Sequence, residues 1–258
     1  MSNTMLKVLT SIALILTSNL TDLVSSNLNE ANSSAQATTE TSATAQDHSE
    51  ASSSTHDLNE TSTSNLASDC PILEKINIQL VQSVQEKGYF CVPACLQMVL
   101  DHHGIHVSQE QLAKEMNTSQ VTGTEYVDLA RVANKYIFDQ ETAEPAGAGY
   151  RVQTLERNVN NSEIYKTFES RVKTDISTGD PVFAAIDNRI LYPELASANH
   201  MVLVTGYSVY AGTDNIAYYY IMDPSYLVQD PVYGGVKTVT AEELMDAITS
   251  NVEPAYIW

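Results

Sequence analysis

The sequence has little that is basic: 13 lysines and arginines stand against 32 acids, a net charge of −19 over 258 residues. A chain this acidic is repelled by phosphate backbones and by anionic bilayer surfaces, so neither nucleic acid nor a membrane surface is an expected partner. Three cysteines are too few for a disulfide scaffold, and the odd number leaves at least one thiol without an intramolecular mate. There is no internal repeat and no sustained heptad. Long apolar runs are also scarce. The first segment, "MSNTMLKVLTSIALILTSNL", offers only a short one through Leu16, preceded by Lys7. It reads as a secretory signal peptide over residues 1–26, with an uncleaved membrane anchor as the alternative. "LVSSN" near Ser26 is a weak cleavage candidate, and no cysteine follows the run, so a lipid anchor is not expected.

Residues 27–70 lack lysine, arginine and almost all large apolar side chains, and are built from Ser, Thr, Ala, Asn and acids. Such a stretch cannot bury enough surface to offset its conformational entropy, so a disordered linker is expected. His48 and His56 lie inside it and read as solvated bystanders. Cys70 sits at the edge of the folded part and receives no role.

That folded part, residues 71–258, reads as helical first and β-rich after. Pro93 suits the first turn of a helix starting at Cys91, and Gly104 suits its end. That helix is apolar on most sides, as a buried helix is. Ser108 with Gln111 and Thr122 with Glu125 read as capping boxes for two more helices. Ile164, Phe168, Val172 and Ile176 stripe another, ended by Gly179. "PVFAAID", "HMVLVTGYSVY", "NIAYYYIMD" and "PAYIW" read as strands, with one helix, "TAEELMDAI", among them. The expectation is an α+β fold, N-terminal helices packed on one side of a C-terminal antiparallel sheet.

Cys91 starts its helix, where free N–H groups and the macrodipole favour a thiolate, the nucleophilic form. A buried structural cysteine is the plainer reading of any lone Cys, and Cys95, one turn on, reads as core packing. Gln85, six residues before Cys91, is something a structural cysteine does not need, although this spacing alone proves little. A side-chain amide together with the nucleophile's own N–H can hold a developing oxyanion. A base must then come from elsewhere in the chain. His102, His103 and His106 cluster beyond the far end of the helix; with Asp101 they could be metal ligands, but Gly104 breaks the spacing. His200 stands at the mouth of a strand apolar on both faces, where a polar ring must be hydrogen-bonded or functional. Asp223 ends the next strand, either as a turn-initiating Asp-Pro or as the carboxylate that orients His200.

The ordered set of Gln85, Cys91, His200 and Asp223, with "CVPACLQMVLDHHG", "NHMVLVTGY" and "IMDPS", resembles the papain-like C39 family of bacterial cysteine peptidases. The resemblance spans about residues 76–258. It implies a papain-like fold with Cys91 as nucleophile, His200 as base and acid, Asp223 as its orienter and Gln85 in the oxyanion hole. It implies no metal and no cofactor, a peptide or protein substrate, and a Cys-His-Asp thioester mechanism. Val92 departs from the glycine that usually follows the nucleophile in this family. Its best-known members are cytosolic domains fused to exporters that remove double-glycine leaders; here a secreted, monomeric peptidase without a transporter is expected, so such leaders are not the expected substrate. Acyl transfer, deamidation and a non-catalytic surface binding module are the alternatives. Tyr192, in the loop before His200, is a candidate lid residue.

Overall fold

The computed structural model describes residues 73–145, 147–159 and 161–258. The signal peptide, the whole of the linker reading and Cys70 lie outside the described residues. In chain order the elements are β1 (Leu73–Asn77), α1 (Cys91–His102), α2 (Gln109–Glu115), α3 (Tyr126–Phe138), β2 (Val152–Thr154), α4 (Ser162–Thr178), β3 (Val182–Asp187), α5 (Asn188–Leu191), β4 (Asn199–Tyr210), β5 (Ile216–Met222), β6 (Val236–Thr240), α6 (Ala241–Ser250) and β7 (Ala255–Ile257).

The strands form one sheet in the order β2-β7-β3-β4-β5-β6, every pairing antiparallel. The 12-residue β4 is its spine. Its first half, Asn199–Val204, pairs with β3, and its second half, Gly206–Tyr210, pairs with β1 along the same edge. Gly206 stands where β1 joins: a Cβ there would run into the carbonyl of Ile76 and the Cα of Asn77.

The period-2 alternation of the central strands divides the interior into two cores. Val182, Ala184 and Ile186 of β3, with Val202 and Val204 of β4, face Phe168, Val172 and Ile176 of α4 and Leu244, Met245 and Ile248 of α6. Phe183, Ala185, Met201 and Leu203 face the opposite way, against Leu96, Val99 and Leu100 of α1, Leu112 of α2 and Leu129 and Val132 of α3. The antiparallel α+β architecture is as expected, but helices cover both faces of the sheet rather than one. The reason lies in β3 and the first half of β4, where Val182–Ile186 and Met201–Val204 are apolar on both faces and so need two covers. Burying a side chain such as Leu96 contributes about 1.5–3 kcal/mol.

Several helix ends are closed by side chains of their own turn, and Gly179 ends α4 as expected, at φ +94°. Asn161 accepts from the N–H groups of Glu163 and Ile164, and Thr240 with Glu243 forms a reciprocal capping box on α6. Ser108 caps α2, but Gln111 turns away to Glu115 and Tyr136. The Thr122–Glu125 box is not formed. Ser119 takes the N–H groups of Val121 and Thr122 in a tight turn, and α3 begins at Tyr126 after Glu125. Strands β1, β2 and β6 escaped the pattern because they are short or polar ("LEKIN", "VQT", "VKTVT") and belong to the sheet through backbone pairing.

Candidate active site

Helix α1 starts at Cys91, and no side chain caps it at Phe90. Pro93 has no N–H and that of Ala94 already donates to Phe90 O at 2.9 Å, so the first-turn N–H groups without a backbone partner are those of Cys91 and Val92. Seven of the residues from Val92 to Leu100 are at most 4% exposed and Gln97 is an exception, so the helix is clamped against the sheet while Cys91 itself is half-buried. Val92 is absorbed into the core at 4% exposure, so its extra bulk over glycine is directed inward.

The strand mouth supplies the imidazole. His200 is the second residue of β4, opposite Ile186 of β3. Its Nε2 lies 2.7 Å from Oδ1 of Asp223, which is fully buried just past the end of β5. With Nε2 committed there, Nδ1 is the ring nitrogen left for the Cys91 sulfur. Burial alone would raise the Cys91 thiol pKa. The hydrogen bond and charge of His200, helped by the backbones of Met201 and Val92, outweigh burial and hold the thiol below its usual range. Burial alone would lower the His200 pKa. The charge and hydrogen bond of Asp223, together with the Cys91 sulfur, instead raise it to about 10. The two shifts have one meaning: the pair favours thiolate and imidazolium over thiol and imidazole.

Asp223 is held from several sides. Its Oδ1 also accepts from Ser225 N–H at 2.8 Å, and its own N–H donates to Gly235 O at 2.9 Å. The side chain of Gln229 donates to the carbonyls of Asp223 and Ser225, and Gln82 bonds both Gln229 and the Gly235 N–H. Gln85 lies on the adjoining segment, 7% exposed, its N–H donating to Pro224 O at 2.8 Å. One hydrogen of its Nε2 goes to Lys87 O at 3.0 Å, and the second is left over. The backbone thus ties Gln85 to the residue after Asp223, while only six residues separate it from Cys91.

The remaining sequence candidates fall elsewhere. Cys95 is fully buried, its Sγ donating to Met201 O, and burial keeps its pKa well above the thiol range. His106 pairs with Asp101 at 2.8 Å and His103 with Asp180 at 3.3 Å, each histidine on its own carboxylate near the C-terminal end of α1. Tyr192 is not a lid. It is 8% exposed, packed in the core beneath the Lys237 ammonium, and burial and the Asp223 charge raise its phenol pKa.

Sequence reasoning did not single out Tyr126 for this region. From the first turn of α3 its hydroxyl donates toward Asn199 Oδ1 at 3.1 Å and Glu253 O at 3.2 Å. Asn251 also bonds Asn199, so the residue preceding His200 is tied to two other elements. Tyr126 appeared in the sequence only as part of a helical stripe. Nothing in its spacing distinguishes a ring that packs from a ring whose hydroxyl reaches a strand 73 residues away.

A family model described as Peptidase_C39 like family matches residues 75–247. Among solved structures, the chain is similar to a double glycine motif protease from an AMS/PCAT transporter in complex with the leader peptide, at 16% identity and TM-score 0.41, covering 70% of this chain and 91% of that one. It is similar to the peptidase domain of Streptococcus ComA, a bi-functional ABC transporter involved in a quorum sensing pathway, at 15% identity and TM-score 0.40, covering 71% and 96%. A C39-like peptidase from Bacillus anthracis matches at 17% identity and TM-score 0.45, again covering 71% and 96%. No curated protein matches in sequence.

Proposed function

We propose, because this chain belongs to the Peptidase_C39 like family, that it is a cysteine peptidase hydrolysing peptide bonds through Cys91, His200 and Asp223. The observation that carries the reading is geometric: Cys91 opens α1, and His200 at the mouth of β4 is held by a 2.7 Å bond to the buried Asp223, an arrangement that favours a thiolate beside an imidazolium. The Cys91 thiolate attacks the scissile carbonyl carbon, and the carbonyl π electrons move onto its oxygen. The Cys91 N–H and the spare Nε2 hydrogen of Gln85 stabilise that oxyanion. As the tetrahedral adduct collapses, the His200 imidazolium gives its proton to the departing amine and a thioester remains. Neutral His200 then takes a proton from water, the hydroxide adds to the thioester, and the thiolate leaves. Asp223 holds the ring and stabilises its charged form throughout. No metal or cofactor enters these steps. The short apolar run after Lys7 supports secretion, and the acidic, Ser/Thr-rich stretch supports a spacer between export signal and domain.

The test is alkylation of the full chain under mild reductant with iodoacetamide at about pH 7, mapped by mass spectrometry. Cys91 is expected to label at least about tenfold faster than the fully buried Cys95, and His200→Ala to slow the labelling of Cys91 itself at least about tenfold. Equal, slow labelling of all thiols would overturn the reading. A fluorogenic peptide library then separates hydrolysis from transfer to an added amine, and Cys91→Ala must remove either activity.

A further inference from the structure

Gln85 has to be aimed, and the segment that carries it belongs to no helix or strand. Around Gln85, the carbonyl of Val84 and the N–H of Glu86 are met by one partner and the N–H of Gln85 by another. Inside a sheet, neighbouring strands would satisfy both edges. Here the Gln85 edge is met by Pro224 O. The opposite edge is met by one side chain, that of Gln109 at the start of α2. Its Oε1 accepts from Glu86 N–H at 2.9 Å, and its Nε2 donates to Val84 O at 2.9 Å. These are the two residues flanking Gln85, and the amide pairs with them as a strand backbone would. Only this orientation of the amide works, because the reverse would set donor against donor at Glu86.

Gln109 is 1% exposed although it lies in the first turn of a surface helix. Its Nε2 also donates to Gln97 Oε1 at 3.1 Å. Gln97 comes from α1, nearly two turns after Cys91, and its Oε1 takes a further bond from Ser83 Oγ at 2.6 Å while its Nε2 donates to Val107 O at 3.0 Å. The chain of bonds therefore runs from the nucleophile helix through Gln97 and Gln109 to both neighbours of Gln85.

We propose that Gln109, backed by Gln97, is the positioning residue that sets Gln85 relative to Cys91, acting as a side-chain substitute for a missing strand. Gln109 touches no reacting atom; it works through Gln85. The proposal rests on the hydrolytic reading for its catalytic consequence, but the clamp itself can be read without any substrate.

Gln109→Met keeps length and removes both bonds. With the fluorogenic peptide best cleaved by the wild type, kcat is expected to fall about tenfold or more with KM within about twofold, as misplacement of an oxyanion donor affects the transition state. In a Gln85→Ala background the same substitution is expected to cost nothing further. An equal loss in both backgrounds would overturn the proposal, because a purely structural residue acts regardless of Gln85. The alkylation rate of Cys91, which forms no oxyanion, is expected to stay within about twofold; loss of selective labelling already in the wild type would instead sink the hydrolytic reading. Amide hydrogen exchange decides the clamp independently: Glu86 N–H is expected to exchange at least about tenfold faster in Gln109→Met, and unchanged exchange would overturn it. Should Gln109→Met fail to fold, Gln97→Met loosens the same clamp from behind, and its kcat loss must likewise vanish in Gln85→Ala.

Discussion

His200 Nε2 and Asp223 Oδ1 meet at 2.7 Å across the ends of two neighbouring strands, and that bond decides which ring nitrogen is left for Cys91. Asp223→Asn keeps the shape but removes the charge, and an amide nitrogen turned toward the ring would present a donor where an acceptor is needed. Peptidase activity is expected to fall about 10²–10⁴-fold, the usual scale of general acid–base assistance. Steady-state kinetics check this, and a loss below about fivefold would remove Asp223 from the mechanism.

The pH profile is set by the two shifts. In the proposed mechanism attack stops below the lowered Cys91 pKa, where the sulfur regains its proton, and above about 10 His200 loses the proton intended for the leaving amine. The kcat/KM profile is therefore expected to be a plateau across neutral pH. Its acid limb should lie below the usual thiol range and its basic limb near 10. An acid limb at ordinary thiol pH would mean that the sulfur is not paired with the imidazolium.

Gly235 sits against the backbone of Asp223, and a Cβ there would run into the Asp223 carbonyl. The obstruction is backbone and cannot swing aside. Gly235→Ala is expected to shift Asp223, lowering kcat at least about tenfold, and to lower thermal stability. Circular-dichroism melting alongside kinetics checks both, and wild-type kinetics would show the loop to be softer than its contacts imply.

Asp175 on α4 keeps one carboxylate oxygen, Oδ2, buried without a partner. Burial first, and then the Asp180 charge, raise its pKa to about 7 against the pull of Arg151 and Arg171. The folded chain therefore holds this proton up to about pH 7, whereas the unfolded chain releases it near 3.8. Stability from this group is present at acid pH and falls as pH rises from about 4 to 7. Asp175→Asn removes that loss. Because the side chain is only partly buried, solvent screening reduces the gain to about 1 kcal/mol at about pH 8, with little change near pH 4. Urea unfolding at the two pH values tests the sign.

Much of this molecule is local and therefore written in order along the chain. Cys91 at a helix start, Gly104 and Gly179 as stops, Thr240 with Glu243 as a cap, and the β-branched runs of β3, β4 and β5 all act through neighbours within a few residues. The same local chemistry singled out Gln85, Cys91, His200 and Asp223. What pairing and packing decided was different in kind. That β1 joins β4, that helices cover both sheet faces, that Tyr192 turns inward and that Gln109 replaces a strand beside Gln85 all depend on partners far along the chain. A glutamine in the first turn of a helix looks the same in sequence whether it meets water or two backbone groups of another segment. Only the fold, by bringing an unpaired edge to its side chain, makes the difference.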